Sequence, residues 1–175
     1  MELRTTQPER DGTVLAAAER QVKEIADQYG WTLPGSVEIR AYPDVATFRN
    51  ATGEPGWVAA RTSGRRIHLQ PAAVLRARGA LDATIHHELL HVFVEAQAAP
   101  GIPVWFREGL VGYLEHPVKA GPADAGDSGL RQREDAARAR RAYAAAAQKV
   151  AGLVQRHGVP AVLAWLKSGL PPGTQ

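Results

Sequence analysis

The segment Thr84-Ile85-His86-His87-Glu88-Leu89-Leu90-His91-Val92 holds the side chains best suited to chemistry: two histidines four positions apart, with a glutamate directly after the first. On a helix, positions i and i+4 share one face, about 6 Å of rise apart, so the imidazoles of His87 and His91 can converge on a single metal ion. Glu88 then stands beside the metal rather than on it, placed to take a proton from a metal-activated water. The chain has no cysteine. A thiolate site and a disulfide are both excluded, and a metal must be held by histidine and carboxylate. The plainer alternative is a partly buried helix whose histidines make ordinary hydrogen bonds. His86, about a quarter turn from the first ligand position, is read in that way.

A catalytic zinc takes three protein ligands and keeps one position open. Downstream stands Pro103-Val104-Trp105-Phe106-Arg107-Glu108-Gly109-Leu110, an expected helix with one carboxylate among apolar neighbours. The loop from Ala98 to Pro103 is short enough for a helical hairpin, and a helix packed antiparallel to the first can deliver Glu108 as third ligand. A surface charge is the alternative for Glu108, but the flanking aromatic pair and Gly109-Leu110 predict packing. Gly109 and Gly112 weaken a helix unless close approach of another helix requires them.

Taken together, His87-Glu88-Leu89-Leu90-His91 and Trp105-Phe106-Arg107-Glu108-Gly109-Leu110 resemble the gluzincins, the thermolysin-like clan of zinc peptidases. The closer resemblance is to the compact bacterial peptidase-MA-like domains, where a Trp-x-x-Glu-Gly segment supplies the third ligand. It is specific over Thr84–Leu114, looser through Gly158, and faint before Trp57. It implies one catalytic Zn2+ on His87, His91 and Glu108, Glu88 as general base, and a peptide or protein substrate. It also implies a small sheet ahead of the active-site helix, whose edge strand pairs with an extended substrate; Arg65–Leu69 is the expected edge, with Ile67, His68 and Leu69 as substrate-binding positions. A closed hairpin without a free edge is the alternative. Related enzymes draw an oxyanion donor from the long helix that follows, which points to Tyr143, with Tyr113 and His116 as alternatives; a Tyr143 that merely packs is the competing reading. One departure stands out. Where thermolysin places an acid one turn after the third ligand, this chain has Gly112, so support for a metal-bound histidine must come from Glu115 or a backbone carbonyl.

The elements that must position these residues follow from periodicity and punctuation. Val14–Tyr29 reads as a helix stopped by Gly30, and Ser36–Ala41 alternates as a strand. Pro43 and Asp44 open a short helix through Phe48. Trp57–Arg61 and Arg65–Leu69 read as a hairpin around Ser63-Gly64. A short helix from Pro71 toward Arg78 ends at Gly79, and the motif helix runs from an Asp82 cap to about Gln97. Pro103 begins the next helix, through Tyr113 or Leu114. The Gly/Pro-rich stretch Pro117–Ser128 is expected as a mobile loop, a lid or a plain surface connection. Beyond it a long helix spans Leu130–His157, with His157 favourable to the helix dipole, and Pro160–Leu166 forms a last short one. The expected class is α+β: a small antiparallel or mixed sheet, then a helical, zincin-like active-site region.

The chain's 175 residues suit one domain, with an ordered core over 12–168 and a tail over 169–175. Apolar residues at 45% and charged residues at 22% argue against wholesale disorder. No apolar run is long enough to span a membrane. The N-terminus lacks a signal-peptide core, although an extracytoplasmic place within a longer protein stays open. A pI near 9.5 invites a nucleic-acid reading. The basic residues are interleaved with acids, as in Arg131 to Arg141, which suits a solvated helix face better, so no nucleic-acid partner is expected. The expected state is a monomer. A degenerate domain that binds zinc or a partner without turnover is the second functional reading.

Overall fold

A computed structural model describes residues 1–33, 35–121, 127, 130 and 135–174, with the side chains of 3, 5, 9 and 10 left aside. It has the α+β character expected from the sequence. Two compact units are described in turn, Met1–Phe93 and Val94–Gln175.

In the first unit, strand β1 (Glu2–Thr5) leads into helix α1 (Pro8–Tyr29). Pro8 at the first helical turn starts α1 six residues ahead of the expected Val14, because proline tolerates a position where its missing N–H is no loss. Gly30, at φ 62°, closes the helix with its N–H on the Ala26 carbonyl. Val14, Ala18, Gln21 and Ile25 form the buried stripe, spaced by three and four. Strand β2 (Glu38–Ala41) follows, then α2 (Val45–Thr52), capped by the Asp44 carboxylate accepting from the Thr47 N–H at 2.7 Å. The hairpin strands are β3 (Ala60–Ser63) and β4 (Arg66–Leu69), joined through Gly64 at φ 59°, the left-handed first central residue that a tight hairpin turn favours. Helices α3 (Ala72–Ala77) and α4 (Leu81–Gln97) complete the run.

The sheet is mixed, in the order β1-β2-β4-β3. β1 and β2 are parallel, as are β2 and β4, and β3 closes antiparallel on β4. Alternation then sorts the faces. Ile39, Ala41, Ala60, Ile67 and Leu69 are buried on one side, while Arg40, Arg61 and Arg66 stand on the other. Before β3, buried Gln70 holds the chain, its amide donating to the carbonyls of Gly56 at 2.9 Å and Val58 at 2.6 Å. The start of α4 is tied to α1 by Gln21 Nε2 donating to the Asp82 carbonyl at 3.0 Å.

The second unit holds the last turn of α4, then α5 (Val104–Glu115), α6 (Ala136–His157) and α7 (Val159–Ser168). Gly109 and Gly112 on α5 have the packing reason that their helical cost required. A Cβ at Gly109 would overlap the Ala146 carbonyl oxygen on α6 and come within 2.9 Å of Val150 Cγ2; at Gly112 it would lie 3.3 Å from the Ala147 Cβ. Their close partner is therefore α6. Arg107 on α5 is held to Glu95 in the last turn of α4 at 2.6 Å, and the Ala99 N–H donates to the Leu166 carbonyl of α7 at 2.8 Å. The expected long helix from Leu130 is observed from Ala136, capped by Asp135; positions 131–134 of that expectation lie outside the described residues. So do positions 122–126 and 128 of the expected mobile loop. Asp127 is described, and its carboxylate accepts from the Trp105 N–H at 2.8 Å in the first turn of α5. Among the described residues, no helix is long and apolar enough to cross a membrane.

Candidate active site

The histidine pair forms as the spacing required. His87 and His91 project from one face of α4 with their Nε2 atoms 3.2 Å apart and their rings at 73°. A tetrahedral zinc with two imidazole nitrogens at about 2.0–2.1 Å holds those nitrogens roughly 3.3 Å apart, so the pair fits as two ligands of one ion. The same separation also serves an imidazole–imidazole hydrogen bond when one Nε2 carries the proton. Both rings are half-buried, and Ile85, Leu89 and Leu90 pin the helix around them with no exposure.

Glu88 is buried, at 7% exposure. Its carboxylate is held from the sheet: the Thr62 hydroxyl on β3 lies 2.7 Å from Glu88 Oε2 and 3.2 Å from the Glu88 carbonyl oxygen. A hydroxyl donating to a carboxylate at that distance is a strong, charge-assisted bond. Glu88 and the histidine pair thus share one turn of α4, and a strand residue bonds the acid's carboxylate. His86 is half-buried.

Glu108 stands half-buried on α5 in the second unit, one residue before Gly109 and between the buried Phe106 and Leu110. Among the described residues, no three His, Asp or Glu side chains are grouped as a metal site. The Nε2 atoms of His87 and His91 are two donors brought together on one face of α4. Tyr143 is half-buried on α6, spaced by three and four from buried Ala139, Ala146 and Ala147. Tyr113 is half-buried near the end of α5, and His116 is exposed just past it.

The expected substrate edge is corrected. β4 is interior, paired with β2 on one side and β3 on the other, so the backbone of Ile67, His68 and Leu69 is committed to the sheet. Ile67 and Leu69 are core residues with no exposure. His68 faces the other side, its Nδ1 2.7 Å from the Tyr42 hydroxyl and its ring stacked on Tyr42. Burial depresses the His68 pKa first, and the charges of Arg40, Arg66 and Arg61 push the same way against a smaller opposing effect of Glu38. Among the described residues, the outer strands of the sheet are β1 and β3. The Gln70 N–H donates to the Ala59 carbonyl at 3.0 Å, which makes Ala59 and Gln70 a hydrogen-bonded pair. Pairs alternate along an antiparallel ladder, so Ala60 and Thr62 direct their backbone N–H and C=O groups away from β4, toward the open edge.

Thr62 had no signal in the sequence. The expected strand ended at Arg61, and only the register and the position of α4 reveal its partner. No family model, curated protein or solved structure matches the chain.

Proposed function

We propose that the chain is a zinc-dependent peptidase in which His87, His91 and Glu108 hold one zinc ion and Glu88 is the general base. The observation that carries this reading is the pairing of two features within one turn of α4. The imidazole nitrogens sit at the spacing that zinc requires, and the intervening acid is buried and hydrogen-bonded by a strand. Nitrogen and oxygen donors without thiolate suit a catalytic rather than a structural zinc. Glu108 is assigned as the third ligand from the resemblance of its Trp105-Phe106-Arg107-Glu108-Gly109 segment to the Trp-x-x-Glu-Gly segment of the peptidase-MA-like domains.

When bound, zinc would polarise the scissile carbonyl and lower the pKa of an attacking water to about 7. Glu88 accepts the water proton and returns it to the leaving amine. Tyr143 donates a hydrogen bond to the developing oxyanion. The substrate lies extended along β3, pairing with the outward backbone groups of Ala60 and Thr62.

The test is metal analysis of protein purified without added zinc, joined to casein and peptide-library hydrolysis with and without a chelator. One zinc per chain and chelator-sensitive hydrolysis are expected. Glu88→Gln should keep the zinc and lose hydrolysis. Protein that binds zinc and hydrolyses nothing would instead be a zinc-binding or partner-binding domain without turnover, and protein that binds no zinc would overturn the proposal.

A further inference from the structure

We infer that Thr62 is a positioning residue that sets both the base and the substrate from one point on β3; this rests on the peptidase reading above. Its side chain and its backbone face two different partners. The hydroxyl points to the buried Glu88, with the carboxylate oxygen at 2.7 Å nearer than the carbonyl at 3.2 Å. A threonine has one proton to donate, and the shorter, charge-assisted contact is the stronger acceptor. The backbone of the same residue, turned away from β4 by the alternation of the ladder, faces the outer side of β3, where no described strand pairs with it.

Two physical consequences follow. A glutamate side chain has three torsions, and a buried carboxylate gripped at one oxygen loses most of that freedom before substrate arrives. The grip is itself rigid, because a β-branched side chain on a strand has few χ1 options. An extended substrate pairing with the Thr62 N–H and C=O is registered against the residue whose hydroxyl fixes the base. The offset between Glu88 and the paired peptide bond is therefore set by the covalent geometry of one residue. The side chains of Arg61 and Ser63, its neighbours on β3, point to the opposite face of the sheet and cannot substitute for it.

Thr62→Val removes the donor at nearly constant shape, and Thr62→Ser keeps it. Thr62→Val should lower kcat about 10- to 100-fold, with KM within about threefold of wild type, since a base displaced by a fraction of an ångström costs turnover rather than binding. Thr62→Ser should stay within about threefold of wild type, and zinc content should be equal in all three proteins. A second readout needs neither metal nor turnover. In zinc-free protein carrying 13C at the glutamate side-chain carboxyls, the Glu88 resonance, assigned by its loss in Glu88→Gln, should shift in Thr62→Val and hold in Thr62→Ser. A Thr62→Val enzyme as fast as wild type, or a Thr62→Ser enzyme as slow as Thr62→Val, overturns the inference. Should wild type hydrolyse nothing, the peptidase reading fails, and an unmoved Glu88 resonance in Thr62→Val would separately overturn the hold on Glu88. If Thr62→Val does not fold, Thr62→Ala is read against Thr62→Ser by the same two measures.

Discussion

Replacing Gly109 by alanine sets two effects of opposite sign against each other, and the geometry decides between them. In a helix interior, alanine is favoured over glycine by about 1 kcal/mol. Against that, the new methyl would overlap the Ala146 carbonyl oxygen and stand 2.7 Å from its carbon and 2.9 Å from Val150 Cγ2. Ordinary contacts of carbon lie at about 3.5–4.0 Å, so the shortfall approaches 1 Å. Two of these three atoms are helix backbone, which no rotamer change can move; α5 and α6 must separate. Overpacking of this kind costs about 1–3 kcal/mol, and the rigid obstacle places it in the upper part of that range. A net loss of about 1–2 kcal/mol follows, or a fall in Tm of roughly 2–8 °C for a chain of this size. Gly112→Ala is the internal control: its methyl would meet only the Ala147 Cβ, at 3.3 Å, a gap closed by a shift of a few tenths of an ångström. It should be neutral or stabilising by up to about 1 kcal/mol. Thermal and urea unfolding followed by far-UV circular dichroism measure both. A Gly109→Ala protein as stable as wild type, or a Gly112→Ala protein less stable than Gly109→Ala, would refute the packing argument.

Other perturbations test separate parts of the structure. His87→Ala and His91→Ala should each abolish stoichiometric zinc in metal analysis, whereas His86→Ala should retain it. Tyr143→Phe is expected to lower kcat by about 10²- to 10³-fold at unchanged zinc content, the cost of removing one oxyanion donor; an unimpaired enzyme would return that role to Tyr113 or His116. Asp127→Ala removes the acceptor of the Trp105 N–H and should destabilise α5 by about 1 kcal/mol, seen as faster amide exchange confined to its first turn. His68 should titrate below its ordinary value of about 6.5 in an NMR pH series. Its neutral form is the one the fold favours, so the unfolded chain binds the proton first and stability should fall as pH drops below about 6.5 toward the folded-state value. His68→Gln should remove that part of the acid sensitivity.

The boundary between what the residues disclose and what they do not follows the range of the interactions. The spacing of His87 and His91 is a property of one helix, and the pair formed as the α-helical repeat dictates. Gly109 and Gly112 likewise announced a close approach, since nothing else in an otherwise well-formed helix explains them, although their partner proved to be α6. β1 was illegible because Glu2-Leu3-Arg4-Thr5 shows too little alternation to register as a strand; parallel pairing with β2, remote in sequence, makes it one. Strand order is the same kind of fact. A hairpin signal says that β3 and β4 pair, but not which of them meets β2, and the β2–β4 pairing is what turns β3 into the edge. That one choice commits the backbone of Ile67, His68 and Leu69 to the sheet and leaves Thr62 on an edge strand. The helix that carries the reactive side chains is thus readable residue by residue, while the strand that aims Glu88 becomes visible only once distant segments are in register.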